Sequence, residues 1–379
     1  MMGLDDERLD GGHPATMARW LNDAVRALDS ADDRIDRAAS DLFDDDPFSL
    51  SDQHRAQIAQ LMRALIGAVE DDLRIGLCGL LPPDTAPELI AALGSAQLAI
   101  AQPLLERTQL LREPELVSAM LRRVDEHRLA LMLGRDSPYH VADLAQRLLD
   151  QGDEAIAEAV MALLISESRR YDPFGDPALA RTDLPPGPHR RLLWAVAAAL
   201  RHYLIRQHAV PDMQADLLLA QAAKELLAEH EDADTLEGRA DALAALLHER
   251  GLIDDALLAA ALEEGWLALF TAAIAQRAGI DSNGVWSMVV DPSGMMLGTV
   301  LRAINCDRDI AVSIMWRIGS AEAAGEEAIV QRAEAFERLE LRDAAEAVLI
   351  WRLDPNYRRA VLEIGEGGSR ASPGGGRRR

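Results

Sequence analysis

The nine histidines, at positions 13, 54, 127, 140, 189, 202, 208, 230 and 248, carry much of the chemistry this chain could perform. No two are three or four positions apart, so no helix face presents two imidazoles to one metal ion. His230-Glu231 and His248-Glu249 each lack the second histidine of a zinc-protease helix. His54-Arg55 and His127-Arg128 fall in helical patterns, the setting of a phosphoacceptor histidine or of an ordinary surface or interface one, and no ATP-binding motif accompanies them. A phosphate loop needs a lysine after glycine, whereas the lone lysine, Lys224, follows Ala223 within a helical pattern. Glycines 365, 367 and 368 have neither a strand before them nor a helix after, so they make no dinucleotide loop. A Gly-x-Ser-x-Gly elbow is missing. The neighbouring carboxylates Glu263-Glu264 and Asp71-Asp72 point to different sides of a helix, and the acidic runs 41–46 and 229–234 lack the residue order of a calcium loop. Cys78 and Cys306 lie far apart in apolar stretches and read as reduced, buried thiols. The reading is therefore no catalytic residue, no cofactor and no metal. One cluster remains: Arg190, Arg191, Arg201 and Arg206, with His202 and His208, lie along one helical stretch of an otherwise acidic molecule. Such guanidinium groups either dock a carboxylate- or phosphate-bearing partner or pair with acidic neighbours in the chain itself.

The elements that would position these residues are helices. Of 379 residues, 49% are apolar but only 4% aromatic, and alanine and leucine dominate, which favours helix over strand. The net charge of −24 argues against nucleic acid or an anionic membrane surface as the main partner. Nearly every cation is arginine, which reads first as compositional bias and second as a demand for forked contacts. Residues 1–14 have no apolar run that could serve as a signal peptide, and charges interrupt every apolar stretch short of a membrane span, so the expected location is the cytoplasm.

Residues 1–16 read as a flexible leader, followed by a helix from Met17 to about Ser40 that an acidic knot, Asp41 to Asp46, ends. Ser51 is an expected N-cap for a helix whose Ile58, Leu61, Met62, Leu65, Ile66 and Val69 form one stripe. The chain then repeats. Pro87-Glu-Leu-Ile-Ala-Ala-Leu93 returns 27 positions later as Pro114-Glu-Leu-Val-Ser-Ala-Met120, and a degenerate copy begins at Ala142. Thr85 and Glu88 fit a capping box at the first copy. Each copy is read as helix, turn, helix, with turns at Gly94-Ser95, Arg122-Arg123 and Gln151-Gly152. Short helices of this kind bury their stripes only by stacking on neighbouring pairs, which predicts an α-solenoid over 17–170. Prolines and glycines between 171 and 188 predict a linker. A C-terminal helical region is expected over 189–357, with an αL cap at Gly251, breaks at Gly265, Gly279 and Gly294, an N-cap at Asp291-Pro292 and a last long helix over 326–353. Residues 358–379 read as a disordered tail, low in complexity from 365 onward.

The run Leu50-Ser-Asp-Gln-His-Arg-Ala-Gln-Ile-Ala-Gln-Leu-Met-Arg-Ala-Leu-Ile-Gly-Ala-Val-Glu70 resembles the opening of an alphaproteobacterial family known as domain of unknown function 2336. Glu106-Arg107, Glu126-His-Arg-Leu-Ala130, Gly251-Leu-Ile-Asp-Asp-Ala-Leu-Leu, Arg277-Ala-Gly-Ile280 and Leu349-Ile-Trp-Arg-Leu-Asp-Pro-Asn-Tyr357 are similar to it in the same order. The resemblance covers roughly 48–357, implies a HEAT-like helical-repeat fold and brings no catalytic residues. Together these readings predict an all-α, non-enzymatic helical-repeat protein that binds another protein, with Arg190, Arg191, Arg201 and Arg206 as its partner-binding residues. The rival expectations are a small-ligand sensor with a pocket between the two helical regions, and an enzyme of unrecognised type.

Overall fold

The structure, a computed structural model, describes residues 33–40, 42, 51–81, 87–95, 99–108, 110–134, 143–231, 234–321, 324–358, 360–361 and 364. The fold is all-α. Among the described residues the sole β feature is an isolated bridge between Tyr171 and Pro177. The expected leader, the acidic knot apart from Leu42, the Thr85 cap and the tail from 365 onward lie outside the described residues, as does most of the helix expected from Met17, whose stretch 33–40 is helical; within the expected disordered tail, residues 358, 360–361 and 364 are helical instead, and Arg358 is buried. The chain divides into two compact units, one of residues 33–247 with 264–269, the other taking in 248–263 and the residues from 270 onward.

The first unit is organised around α1 (Asp52–Leu80). Ser51 caps it as expected, its side chain accepting the His54 N–H. The stripe from Ile58 to Val69 continues through Leu73 and Leu77, and all of it is buried. Around α1 pack α2 (Pro87–Leu93), α3 (Ala101–Leu105), α4 (Pro114–Gly134), α7 (Pro186–His208) and α8 (Asp212–Ala228); α5 (Asp143–Leu149) pairs with α6 (Glu154–Ser168). The contacts of α1 with α7 and α8 reach far along the sequence, so this unit is not held by nearest neighbours alone.

Two of the three expected turns form, after α2 at Gly94 and after α5, where Gly152 adopts φ +73°. The third does not. Residues 114–134 are one continuous helix through Arg122 and Arg123, because no glycine or proline interrupts 115–133 and arginine is a good helix former. The segment 171–188 also differs from expectation, since it lies inside this unit and is packed. Asp172 accepts the Phe174 and Asp176 N–H groups, Ala178 N–H bonds to Arg170 O at 2.7 Å, and Leu179 and Leu184 are buried around a 3₁₀ turn, Arg181–Asp183. Prolines bar a helix there, but they do not bar anchoring. α7 starts at Pro186, because proline in the first turn costs no helical hydrogen bond.

Residue 247 ends the first span of that unit within α9 (Leu236–Glu249), which closes on Gly251 in the αL conformation (φ +67°). The second unit includes α10 (Asp255–Glu263) packed on α14 (Arg308–Ala321). α11 (Leu267–Ala278) and α12 (Ser282–Val289) precede its centre, α13 (Met295–Ala303), which meets α12, α14, α15 (Glu326–Arg338) and α16 (Leu341–Val348). Asp291 is no N-cap. Its carboxylate accepts the Ser293 N–H in a turn, and α13 begins only after Gly294, which combines φ +63° with a close approach of Arg332. The helix expected over 326–353 is broken at Leu339-Glu340, where the chain is extended and the Leu339 carbonyl accepts from Arg302 Nε at 2.9 Å. A 3₁₀ turn, Leu349–Arg352, buries Trp351 beneath the Arg358 guanidinium, 4.6 Å from the ring centre.

Candidate functional site

The densest chemistry in the first unit surrounds Glu126 on α4, which is fully buried. Helical spacing places Arg122 and Arg123 beside it. Arg122 Nε donates at 2.8 Å, and Arg123 Nη1 lies 3.3 Å from the other carboxylate oxygen. Arg170, just past the end of α6, approaches that same oxygen at 3.5 Å and donates to Glu167 at 2.7 Å. Glu237 of α9 faces both Arg122 and Arg123, at 3.5 and 3.7 Å. Burial pushes the Glu126 carboxyl up, but Arg122, Arg123 and Arg170 outweigh it and hold it well below the ordinary range. Burial raises Glu167 and Asp183 instead. With its guanidinium groups permanently charged and Glu126 held ionised, the cluster is a clamp joining α4, the end of α6 and α9.

The two His-Arg pairs fall at different places on this frame. His127 is buried, with its ring 5.5 Å from that of Tyr171; burial and then Arg170 lower its pKa. His54 sits in the first turn of α1 with Nδ1 2.6 Å from Ser51 Oγ, which ties it to the cap. His127 Nδ1 is buried without a hydrogen-bond partner, and the ring meets that of Tyr171 at a tilt of 57°.

Arg190, Arg191, Arg201 and Arg206 do not converge. They are strung along α7, and the 16 positions from first to last span about 24 Å of helix. Arg191 pairs with Glu113 and Glu115 at the start of α4. Arg201 forks onto Asp216 of α8, at 2.5 and 3.2 Å, and reaches Asp212 at 3.5 Å. Arg190 and Arg206 are exposed. The internal pairing weighed from the sequence thus holds for Arg191 and Arg201. Around Arg201 the structure adds what the pattern reading passed over. Trp194, 39% exposed, lies two turns earlier on the same side of α7; Met213 and Leu217, 76% and 67% exposed, each follow an aspartate that Arg201 contacts. The legible signal was their i, i+4 spacing on a helix whose buried face is Ala215, Leu219, Ala222 and Ala223.

Sequence spacing also missed a histidine pair. His189 opens α7 and His230 follows the end of α8, 41 positions on, yet their ring centres lie 4.2 Å apart. Consecutive helices packed as a hairpin bring the start of one to the end of the next. His189 is fully buried, none of the four ring nitrogens has a hydrogen-bond partner, and burial, then His230 and Arg181, push the His189 pKa down to about 4.

Among the described residues no three histidine, cysteine or carboxylate side chains are grouped to hold a metal ion. A cavity of about 120 Å³ beside Gly67, Asp71 and Gln102 is walled by Glu70 and Arg74. That carboxylate already accepts the Ile100 and Ala101 N–H groups, at 3.0 and 2.7 Å, and so caps α3. Among the described residues no helix is long and apolar enough to cross a membrane. No curated protein and no solved structure matches the chain. The model of a family described as uncharacterised proteins conserved in bacteria, DUF2336, matches residues 100–349, and the chain belongs to that family.

Proposed function

We propose that the chain is a non-enzymatic, cytoplasmic scaffold or adaptor that binds another protein through the outer face of α7 and α8. The observation that carries this reading is the combination on that face: Trp194 and Arg201, residue types that dominate interface energetics, with the exposed Met213 and Leu217 one position past the paired aspartates. Arg190 and Arg206, exposed at either end of the stretch, and Arg191 extend it as a charged rim. The net charge of −24 favours a protein partner over nucleic acid or an anionic bilayer. HEAT-like stacking of the hairpins within 87–168 belongs to the same proposal, supported by the pairing of α5 with α6.

The test is affinity capture with the tagged full chain from its native cytoplasm, compared with the double variant Met213→Asp, Leu217→Asp. Both side chains are exposed, so helicity and melting should be unchanged. A partner recovered by the wild type and lost from the variant supports the reading. Equal recovery places the interface elsewhere and removes its basis.

A further inference from the structure

We propose that His189, packed on His230, forms an acid-sensitive latch, holding the first turn of α7 against the end of α8 while the His189 ring is neutral and releasing it when that ring takes up a proton. The rings lie 4.2 Å apart with planes tilted by 40°, and His189 has no exposed surface. A neutral imidazole carries one N–H and one lone pair, so the pair holds two donors and two acceptors without partners. Such an arrangement is tolerable when neutral. It is poor when charged, because an imidazolium needs two acceptors and water.

The surrounding charges do not supply them. Arg181, in the 3₁₀ turn, bears on His189 as a like charge, and it holds Asp72 of α1 and Glu229 at the end of α8. On α4, Glu115 approaches Gly187, and together with Glu113 it is held by Arg191. Asp183, in the turn with Arg181, is buried among Arg123, Glu237 and the Leu236 backbone. Arg190, next to His189, is a further cation at the surface. Asp72, Glu229, Glu113 and Glu115 are already held by arginines, and Asp183, whose Oδ1 accepts no hydrogen bond, is not among the charges that act on His189, so a proton on His189 is accommodated by separating the first turn of α7 from the end of α8, which admits water. The device is independent of the protein-binding proposal, which uses other residues of the same hairpin.

Hydrogen exchange of the full chain, corrected for the intrinsic pH dependence, reads this directly in peptides covering 186–193 and 224–231. A ring held near pKa 4 when folded and near 6.5 when open makes the opening equilibrium about twentyfold more favourable at pH 5 than at pH 7. His189→Gln, which cannot titrate, should flatten that dependence in both peptides while peptides from 255–321 are unaffected. Should this variant fail to fold, the wild type decides alone through the NMR titration of the His189 ring. A midpoint well below 5.5 supports the latch. A midpoint near 6.5 in the folded protein, or equal protection at the two pH values, overturns it.

Discussion

Replacing Glu126 with glutamine should destabilise the α1-centred unit by about 3–5 kcal/mol, the usual cost of breaking a buried ion pair by removing one partner. The geometry supports the upper part of that range. The side chain is 1% exposed, and three guanidinium groups converge on its two oxygens at 2.8, 3.3 and 3.5 Å. Glutamine keeps the shape and one acceptor but removes the charge, and its amide nitrogen would face a guanidinium donor to donor. Water cannot take the place of the carboxylate without opening α4 from the end of α6. For a unit of this size each kcal/mol moves the melting midpoint by about 2–4 °C, so a fall of roughly 6–20 °C is expected. Thermal and urea unfolding followed by circular dichroism measure it, with the transition of this unit identified by hydrogen exchange. Because the charges are buried, 0.5 M salt should change the difference little. A cycle with Arg123→Gln should show coupling of about 1–3 kcal/mol. A loss under about 1 kcal/mol for Glu126→Gln, or one that salt erases, would refute the claim that the cluster is dry and structural.

Gly294→Ala should cost the second unit about 2–4 kcal/mol, since it combines a left-handed backbone with a Cβ only 2.6 Å from Arg332 Nε; thermal melting reads the loss, and a change under 0.5 kcal/mol would show that Arg332 moves aside freely. Burial, then Asp255, push the Cys306 thiol up to about 12, so in the native chain Cys306 should resist thiol reagents at pH 8 until unfolding, while the half-buried Cys78 reacts earlier. Acid should weaken the first unit in two stages. His189, whose folded pKa lies below its unfolded one, loses roughly 3 kcal/mol of stability between about pH 6.5 and 4, and Glu126, also depressed on folding, contributes stability above about pH 4.3 that is lost below it. A urea midpoint that stays flat from pH 7 to 5 would contradict the first stage.

The sequence made the helices legible wherever periodicity was strong and stops were chemical. Ser51, the α1 stripe, Gly152 and Gly251 all act as their residue types require. It misled where a stop was inferred from repeat register alone, at Arg122-Arg123, and where a stop depended on a distant partner, as at Leu339, whose carbonyl is taken by Arg302 across 37 positions. Asp291-Pro292 reads as a helix start, yet the helix begins only after Gly294, and the prolines of 171–188 tell what they forbid, whereas the packing of Leu179 and Leu184 is a tertiary fact. The candidate site was legible to a similar degree. The arginines of α7 were visible as a cluster, but their separation along 24 Å of helix and the pairing of Arg191 and Arg201 needed the neighbouring helices. The histidine pair was out of reach of any test for i+3 or i+4 spacing, because helix pairing brings it together.

The near-exclusive use of arginine takes on structural meaning in this fold. Compositional bias supplies the residues, but the buried positions ask more of them than a lysine could give. Arg123 reaches both Glu126 and Glu237, and Arg170 reaches Glu126 and Glu167 while lying 6.0 Å from the Tyr171 ring centre. In the second unit Arg358 stacks on Trp351, bonds to its carbonyl at 3.1 Å and meets Asp281 at 3.4 Å. Each of these is a planar fork touching two or three groups on different segments, whereas an ammonium is a compact point charge that must remain hydrated. The one lysine, Lys224, is exposed on α8. Arg170→Lys and Arg358→Lys keep the charge and remove the fork, so each should cost about 2 kcal/mol or more, while Lys224→Arg should be neutral within 0.5 kcal/mol. If all three are neutral by thermal unfolding, the arginines are compositional inside the protein as well as out, and the clamp around Glu126 is held by charge alone.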